Sequence, residues 1–149
     1  MFFCLLVEHG LINRNPDKKT LKSVTETCIV KVSKDKVFAF LSDIENLPKW
    51  STKFVKKLTL VDGKYKAMTP IGEVFIRLDT DQKTGLIDIY AGPTEENMTP
   101  AYMRIISFLD KSSAVMFTFF QYALTSDAIW KIFCEWIKEE VENIKKHFS

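Results

Sequence analysis

Residues 126–149 constrain the fold of this chain more than any other stretch. Spaced at about 100° per residue, Ile129, Phe133, Trp136, Ile137 and Ile144 fall on one arc. Lys131, Glu135, Lys138, Glu139, Glu142, Lys145 and Lys146 fall on the opposite one. That period predicts a long amphipathic helix whose aromatic stripe must be covered. Ser126 suits its N-cap, and Asp127 suits the positive end of its dipole. A stripe this broad needs a sheet to pack on, and the stretch before it reads as an antiparallel one.

Segments 54–61 and 64–69 flank Asp62-Gly63, the strongest hairpin signal in the chain. A turn at Pro70-Ile71-Gly72 leads to segment 73–79, with Val74, Ile76 and Leu78 on one face. Loop 80–84, strand 85–91, loop 92–100 and strand 101–109 follow. Turn 110–113 then leads into strand 114–122. Centring loop 92–100 on Glu96 sets Asp88 opposite Arg104 and Tyr90 opposite Tyr102 on one side. Ile89 then faces Met103, and Ala91 faces Ala101, on the other. Charge pairs and aromatic pairs are favoured neighbours, so this register is self-consistent. The apolar side, with Ile87, Ile89, Met103 and Ile105, is expected to face inward. A two-residue turn at Lys111-Ser112 would bring Met116, Thr118 and Phe120 onto that inner face. Phe117 and Phe119 would then sit outside with Tyr102, Ile106 and Phe108.

Upstream, 23–32 alternates as a strand, with Val24, Glu26, Cys28, Val30 and Val32 on one face. Ser33 is placed to cap a helix running to about Ser42 that buries Val37, Phe38, Phe40 and Leu41. Segment 43–50 forms a second short helix, limited by Pro48. Trp50 is read as a plug where helix meets sheet, with a place at a pocket mouth as the alternative. Residues 1–21 are read as an arm outside the core domain 22–149. Their apolar start, residues 1–7, precedes a polar turn-like stretch at 13–19. Leu5, Leu6 and Val7 would need cover from a partner subunit. This start lacks a leading positive charge and a small-residue cleavage site, and so reads poorly as a signal peptide.

Composition narrows the function classes. At 149 residues, with 46% hydrophobic and 27% charged residues, the chain can bury a real core. Its 12 phenylalanines also suit an apolar cavity wall. A net charge of +2 excludes the concentrated basic face of a nucleic-acid binder. Lys53, Lys56 and Lys57 are read as a solvated edge. No stretch approaches the ~20 apolar residues of a membrane span. Three widely spaced cysteines argue against a disulfide framework and place the chain in reducing cytoplasm. His9 and His147 lie near opposite ends, and no Cys-x-x-Cys or His-Glu-x-x-His occurs, so no metal site is expected. Glycine-rich phosphate loops and a Gly-x-Ser-x-Gly elbow are absent, and no cofactor is expected.

The run Glu26-Thr-Cys-Ile-Val-Lys-Val-Ser-Lys-Asp-Lys-Val-Phe-Ala-Phe-Leu-Ser-Asp-Ile-Glu-Asn-Leu-Pro-Lys-Trp50 resembles the opening of bacterial and archaeal members of the START/SRPBCC superfamily. That superfamily includes lipid-transfer START domains, pollen-allergen-like proteins, polyketide cyclases/dehydratases and coenzyme Q-binding proteins. The resemblance spans residues 22–148. It implies an α+β helix-grip fold: a curved antiparallel sheet of about six or seven strands, two short helices after the first strand, and a long C-terminal helix in the concave face. It implies a cavity and does not name its occupant.

Ile76, Ile89, Met103, Phe120, Phe133, Trp136 and Ile137 are the expected ligand-binding set, with Ala91 and Ala101 leaving room near one end. The expected function is binding or transport of a hydrophobic small molecule: a lipid, a quinone or a polyketide-like ring. The alternative is a cyclase/dehydratase-like enzyme using Glu140, or Asp88 and Arg104 with Tyr90. Glu140 falls inside the apolar arc of the last helix, where it is either satisfied by a polar cluster with Asn143 and His147 or held with a raised pKa. A further alternative is a protein-interaction module without ligand, with a homodimer as its product if the outer phenylalanines are exposed.

Overall fold

The computed structural model describes residues 21–122 and 125–149. The expected N-terminal arm lies outside the described residues, except for Leu21, which is exposed. The chain has the helix-grip α+β fold. Strand β1 (Ser23–Val30) is followed by helix α1 (Lys34–Leu41), a 3-10 turn (Ile44–Asn46) and helix α2 (Leu47–Trp50). A meander follows: β2 (Lys57–Val61), β3 (Lys64–Thr69), β4 (Gly72–Asp81), β5 (Leu86–Thr94), β6 (Asn97–Phe108) and β7 (Ser112–Phe120). Helix α3 (Asp127–His147) closes the order.

The seven strands of the described residues form one antiparallel sheet in the order β1-β7-β6-β5-β4-β3-β2. β1 and β2 are therefore opposite edges, and the short helices carry the chain from one to the other. Ser33 takes the N-cap position of α1, but its side chain makes no capping hydrogen bond. The Asp43 carboxylate does cap the next turn, accepting from Glu45 N at 3.0 Å. Ser126 Oγ accepts from Ile129 N at 3.2 Å and fixes the start of α3.

Asp62 and Gly63 both have positive φ, 52° and 75°, as a two-residue hairpin loop needs. Gly85 is required for a different reason. Its φ is +73°, and a Cβ there would sit 2.0 Å from the Ile105 carbonyl oxygen.

The β5–β6 loop is shorter than expected. The strands run to Thr94 and from Asn97, with an irregularity between Ala91 and Thr94. Pairing slips by two residues, so Asp88 lies opposite Tyr102, Tyr90 opposite Pro100 and Leu86 opposite Arg104. An even slip preserves the faces, and Ile87, Ile89, Met103 and Ile105 are all buried.

The β6–β7 turn overturns the expected phase of β7. Phe108 pairs with Ser112, leaving a three-residue loop in which Leu109 and Lys111 have positive φ. The shift relative to a turn at Lys111-Ser112 is odd, and an odd shift exchanges the two faces of a strand. Val115 and Phe117 are therefore buried, and Phe119 packs against the core. Met116 and Thr118 point to the outer side, and Phe120 is 48% exposed.

The core is one cluster between the sheet and α3. Ile137, Val141 and Ile144 of α3 join Ile87, Met103, Ile105, Val115 and Phe117. Trp50 is fully buried at the exit of α2, with its ring edge-on to Phe117 at 5.8 Å. It is the plug rather than a mouth residue. Asn143 Nδ2 donates to Trp50 O at 3.1 Å and to Thr52 Oγ1 at 2.9 Å, tying that exit to α3. Phe40 is half-buried and stacks on His147 at 3.8 Å.

Candidate functional site

Beside the core, sheet and helix separate around a partly open cavity of about 80 Å³, against the ~10–15 Å³ that one water requires. Phe133 and Trp136 of α3 form one wall. Phe117 and Phe119 of β7, with Ile76 and Ile89, form the facing one, and Phe120, which packs edge-on to Tyr102, also borders the space. Ala91 and Ala101 also line the space, and their small side chains leave room there. Leu47, Ser51 and Phe54 close it from the segment around α2. Thr99, Pro100, Tyr122 and Thr125 line it near the start of α3.

The aromatic wall is continuous. Ring centroids step from Phe54 to Trp136 (6.4 Å), to Phe133 (5.6 Å), to Phe119 (6.4 Å) and to Phe117 (4.9 Å). Tilted and edge-on contacts of this kind hold each ring by its neighbours.

Glu140 is the buried ionisable group of this wall, 1% exposed. Its Oε1 accepts from Ser51 Oγ at 3.0 Å and from Phe54 N at 3.3 Å. The expected cluster with Asn143 and His147 does not form. Asn143 bonds Trp50 and Thr52, and His147 stacks on Phe40. Burial pushes the Glu140 carboxyl from its ordinary 4.5 up to about 8, and the two donated hydrogen bonds only partly offset that. Glu140 is therefore a neutral acid at neutral pH. Tyr122 is also pushed up, to about 12, by burial and by Tyr102 and Tyr90 nearby, and its hydroxyl donates to Pro100 O at 3.1 Å.

The remaining acid–base candidates sit on the other side of the sheet. Asp88 lies opposite Asp79 and Tyr102, and burial followed by the Asp79 charge raises its pKa. Arg104 does not pair with it; its Nε donates to Thr84 O at 2.8 Å. Arg77 pairs with Asp79 and lies over the Tyr90 ring at 4.1 Å. Asp88, Arg104 and Tyr90 thus do not converge with Glu140. The two-residue slip of β5 against β6 is the physical reason that the expected Asp88–Arg104 pair is missing.

Of the expected ligand-binding set, Ile76, Ile89, Phe120, Phe133 and Trp136 line the cavity. Met103 and Ile137 are packed in the solid core beside it. Sequence reasoning missed Leu47, Ser51, Phe54, Tyr122 and the pair Phe117 and Phe119. A turn of the wrong length puts the last two outside; with them inside, Tyr102, Ile106 and Phe108 are what remains exposed of the expected outer patch.

Among the described residues, no group of His, Cys, Asp and Glu side chains could hold a metal ion, and no helix is long and apolar enough to cross a membrane. Cys28 is buried and Cys134 half-buried, and both are free thiols.

No family model matches the chain, and no curated protein matches its sequence. Solved structures do match in fold. The protein XoxI from Bacillus cereus superposes with a TM-score of 0.66 at 15% identity, covering 85% of this chain and 94% of that one. A START superfamily protein from Mycobacterium smegmatis gives 0.62 at 12% identity over 85% and 96%. The ZhuI aromatase/cyclase from Streptomyces sp. R1128 gives 0.62 at 12% over 86% and 93%. The resemblance read from residues 26–50 is thus matched by structure, at the level of the shared helix-grip fold.

Proposed function

We propose that this protein binds, and in doing so carries or senses, a hydrophobic small molecule of lipid, quinone or polyketide-like character in the cavity between the sheet and α3. The observation that carries the reading is the cavity wall itself: five connected aromatic rings, two alanines that leave space, and one buried carboxyl. Apolar walls with few polar anchors are what such ligands require. The fold neighbours named as a START superfamily protein and an aromatase/cyclase are in keeping with it.

The test is uptake of the apolar fluorophore N-phenyl-naphthylamine, with native mass spectrometry of the freshly purified protein as a second readout. Saturable fluorescence enhancement, lost in Ala91→Phe, is the expected result. Enhancement that survives filling the space beside Ala91 would place the dye elsewhere and end the proposal.

A cyclase- or dehydratase-like activity has one supporting observation, the buried acid Glu140 in the wall. It lacks the second converging ionisable pair that Asp88 and Arg104 were expected to supply. Self-association through the outer sheet face is supported by Ile29, Ile106 and Phe108, which are all exposed there. Light scattering on the eluting protein tests it, and a monomer at micromolar concentration would remove it.

A further inference from the structure

We propose that the occupant of the cavity is a neutral molecule with a hydrogen-bond-accepting oxygen, such as a ketone, quinone or ester carbonyl, seated against the carboxyl of Glu140. This rests on the ligand-binding reading above and sharpens it to a chemical class and an orientation.

The cavity has two polar ends and an aromatic middle. Thr125 precedes α3, whereas Glu140 lies about 20 Å further along it at ~1.5 Å per residue, with Phe133 and Trp136 between them. At the first end the Tyr122 proton is committed to the Pro100 carbonyl. At the second end the Ser51 proton is committed to Glu140. Both hydrogen bonds that Glu140 accepts fall on Oε1. The protonated carboxyl therefore keeps its own O–H as the donor at that end.

A buried donor left without an acceptor is unfavourable, so the site selects a ligand that brings one. A hydrocarbon without an oxygen fills the aromatic middle and leaves that donor unmet. A ligand cation would require an ionised Glu140 in an apolar wall, which burial opposes. The charges around Glu140 do not reverse this. Glu139 beside it on α3 favours the neutral form, and its carboxylate is held by Lys53 at 3.3 Å. Lys56 favours the charged form, but its ammonium donates to Thr52 O at 2.8 Å.

The experiment compares two probes of similar size: prodan, a naphthyl ketone whose emission moves to the red when its carbonyl accepts a hydrogen bond, and N-phenyl-naphthylamine, which has no carbonyl. Both are titrated into wild type, Glu140→Gln and Glu140→Leu between pH 6 and 9.5. Wild type is expected to bind both, with red-shifted prodan emission below pH 8. Prodan affinity falls about tenfold as the carboxyl loses its proton, the worth of one hydrogen bond. N-phenyl-naphthylamine affinity stays level. Glu140→Gln keeps a donor at every pH and shows no decline for prodan. Glu140→Leu loses prodan selectively, and if that variant does not fold, the Gln profile decides alone.

Parallel pH profiles for the two probes in wild type, or prodan binding that strengthens as Glu140 ionises, would overturn the carbonyl assignment while leaving the cavity reading intact. Failure of both probes to bind wild type would overturn both.

Discussion

Ser51 Oγ donates to Glu140 Oε1 across 3.0 Å, joining the exit of α2 to the middle of α3 at a point where both are sealed from bulk water. The partners are 89 residues apart in sequence. Burial at that point, which the Ser51 hydrogen bond only partly offsets, makes Glu140 a titrating group whose state is linked to folding.

Glu140 keeps its proton up to about pH 8 in the folded chain but loses it near its ordinary 4.5 once unfolded. The unfolded state therefore binds fewer protons between those values. The stability that the neutral acid contributes is complete below pH 4.5, declines as pH rises through this window, and is gone above about 8. Glu140→Gln cannot ionise, so it should match wild type near pH 4.5. It should exceed wild type by a few kcal/mol at pH 8.5. Urea unfolding at the two pH values checks this, and equal pH slopes for the two proteins would contradict it.

The phase of β7 makes a prediction that depends on a single residue step. Phe117→Ala removes a buried ring from the core and should destabilise by about 3–5 kcal/mol. Met116→Ala, on the outer side, should cost about 1 kcal/mol or less. Reversal of that ranking in thermal or denaturant unfolding would mean that the three-residue turn is misplaced.

Gly85→Ala should be among the more damaging small substitutions in the turns of the sheet, at a buried position between β4 and β5. It combines a positive φ with a methyl group driven into the Ile105 carbonyl, whose own amide donates to Gly85 O at 2.8 Å. A loss of roughly 2 kcal/mol or more is expected from strain of this kind. A melting temperature within a degree of wild type would refute it.

Cys28 should resist alkylation in the native state. Burial pushes its thiol to about 11, leaving little thiolate at pH 8. Cys134 is less deeply buried and should react before Cys28. Iodoacetamide labelling read by peptide mass spectrometry gives the order, and early modification of Cys28 would count against the packing described for β1.

Much of this architecture is legible in the chain because local chemistry and global packing agree. Asp62-Gly63 dictates its hairpin, Ser126 starts α3 as a cap should, and the alternation at Ile87 and Ile89 marks the inner face. The phase of β7 is not legible, because it depends on turn length. Leu109 and Lys111 adopt left-handed backbone without the glycine or asparagine that usually announces it. Glu140 stands out by helical arithmetic alone, as a carboxylate on an apolar arc. Its partners do not, since a backbone amide at Phe54 and a hydroxyl at Ser51 reach it only after the chain has crossed from one sheet edge to the other.

That crossing has a consequence for how the chain is made. Among the described residues β1 is the first strand synthesised, yet its only neighbour in the sheet is β7. Until residues 113–120 have left the ribosome, the edge of β1 that pairs with β7 stands open to other chains. Contacts that close so late make folding slow and expose intermediates to aggregation. Helix α3, which packs on β1 in the folded chain, is synthesised later still, so cover for β1 also waits for residues beyond 127.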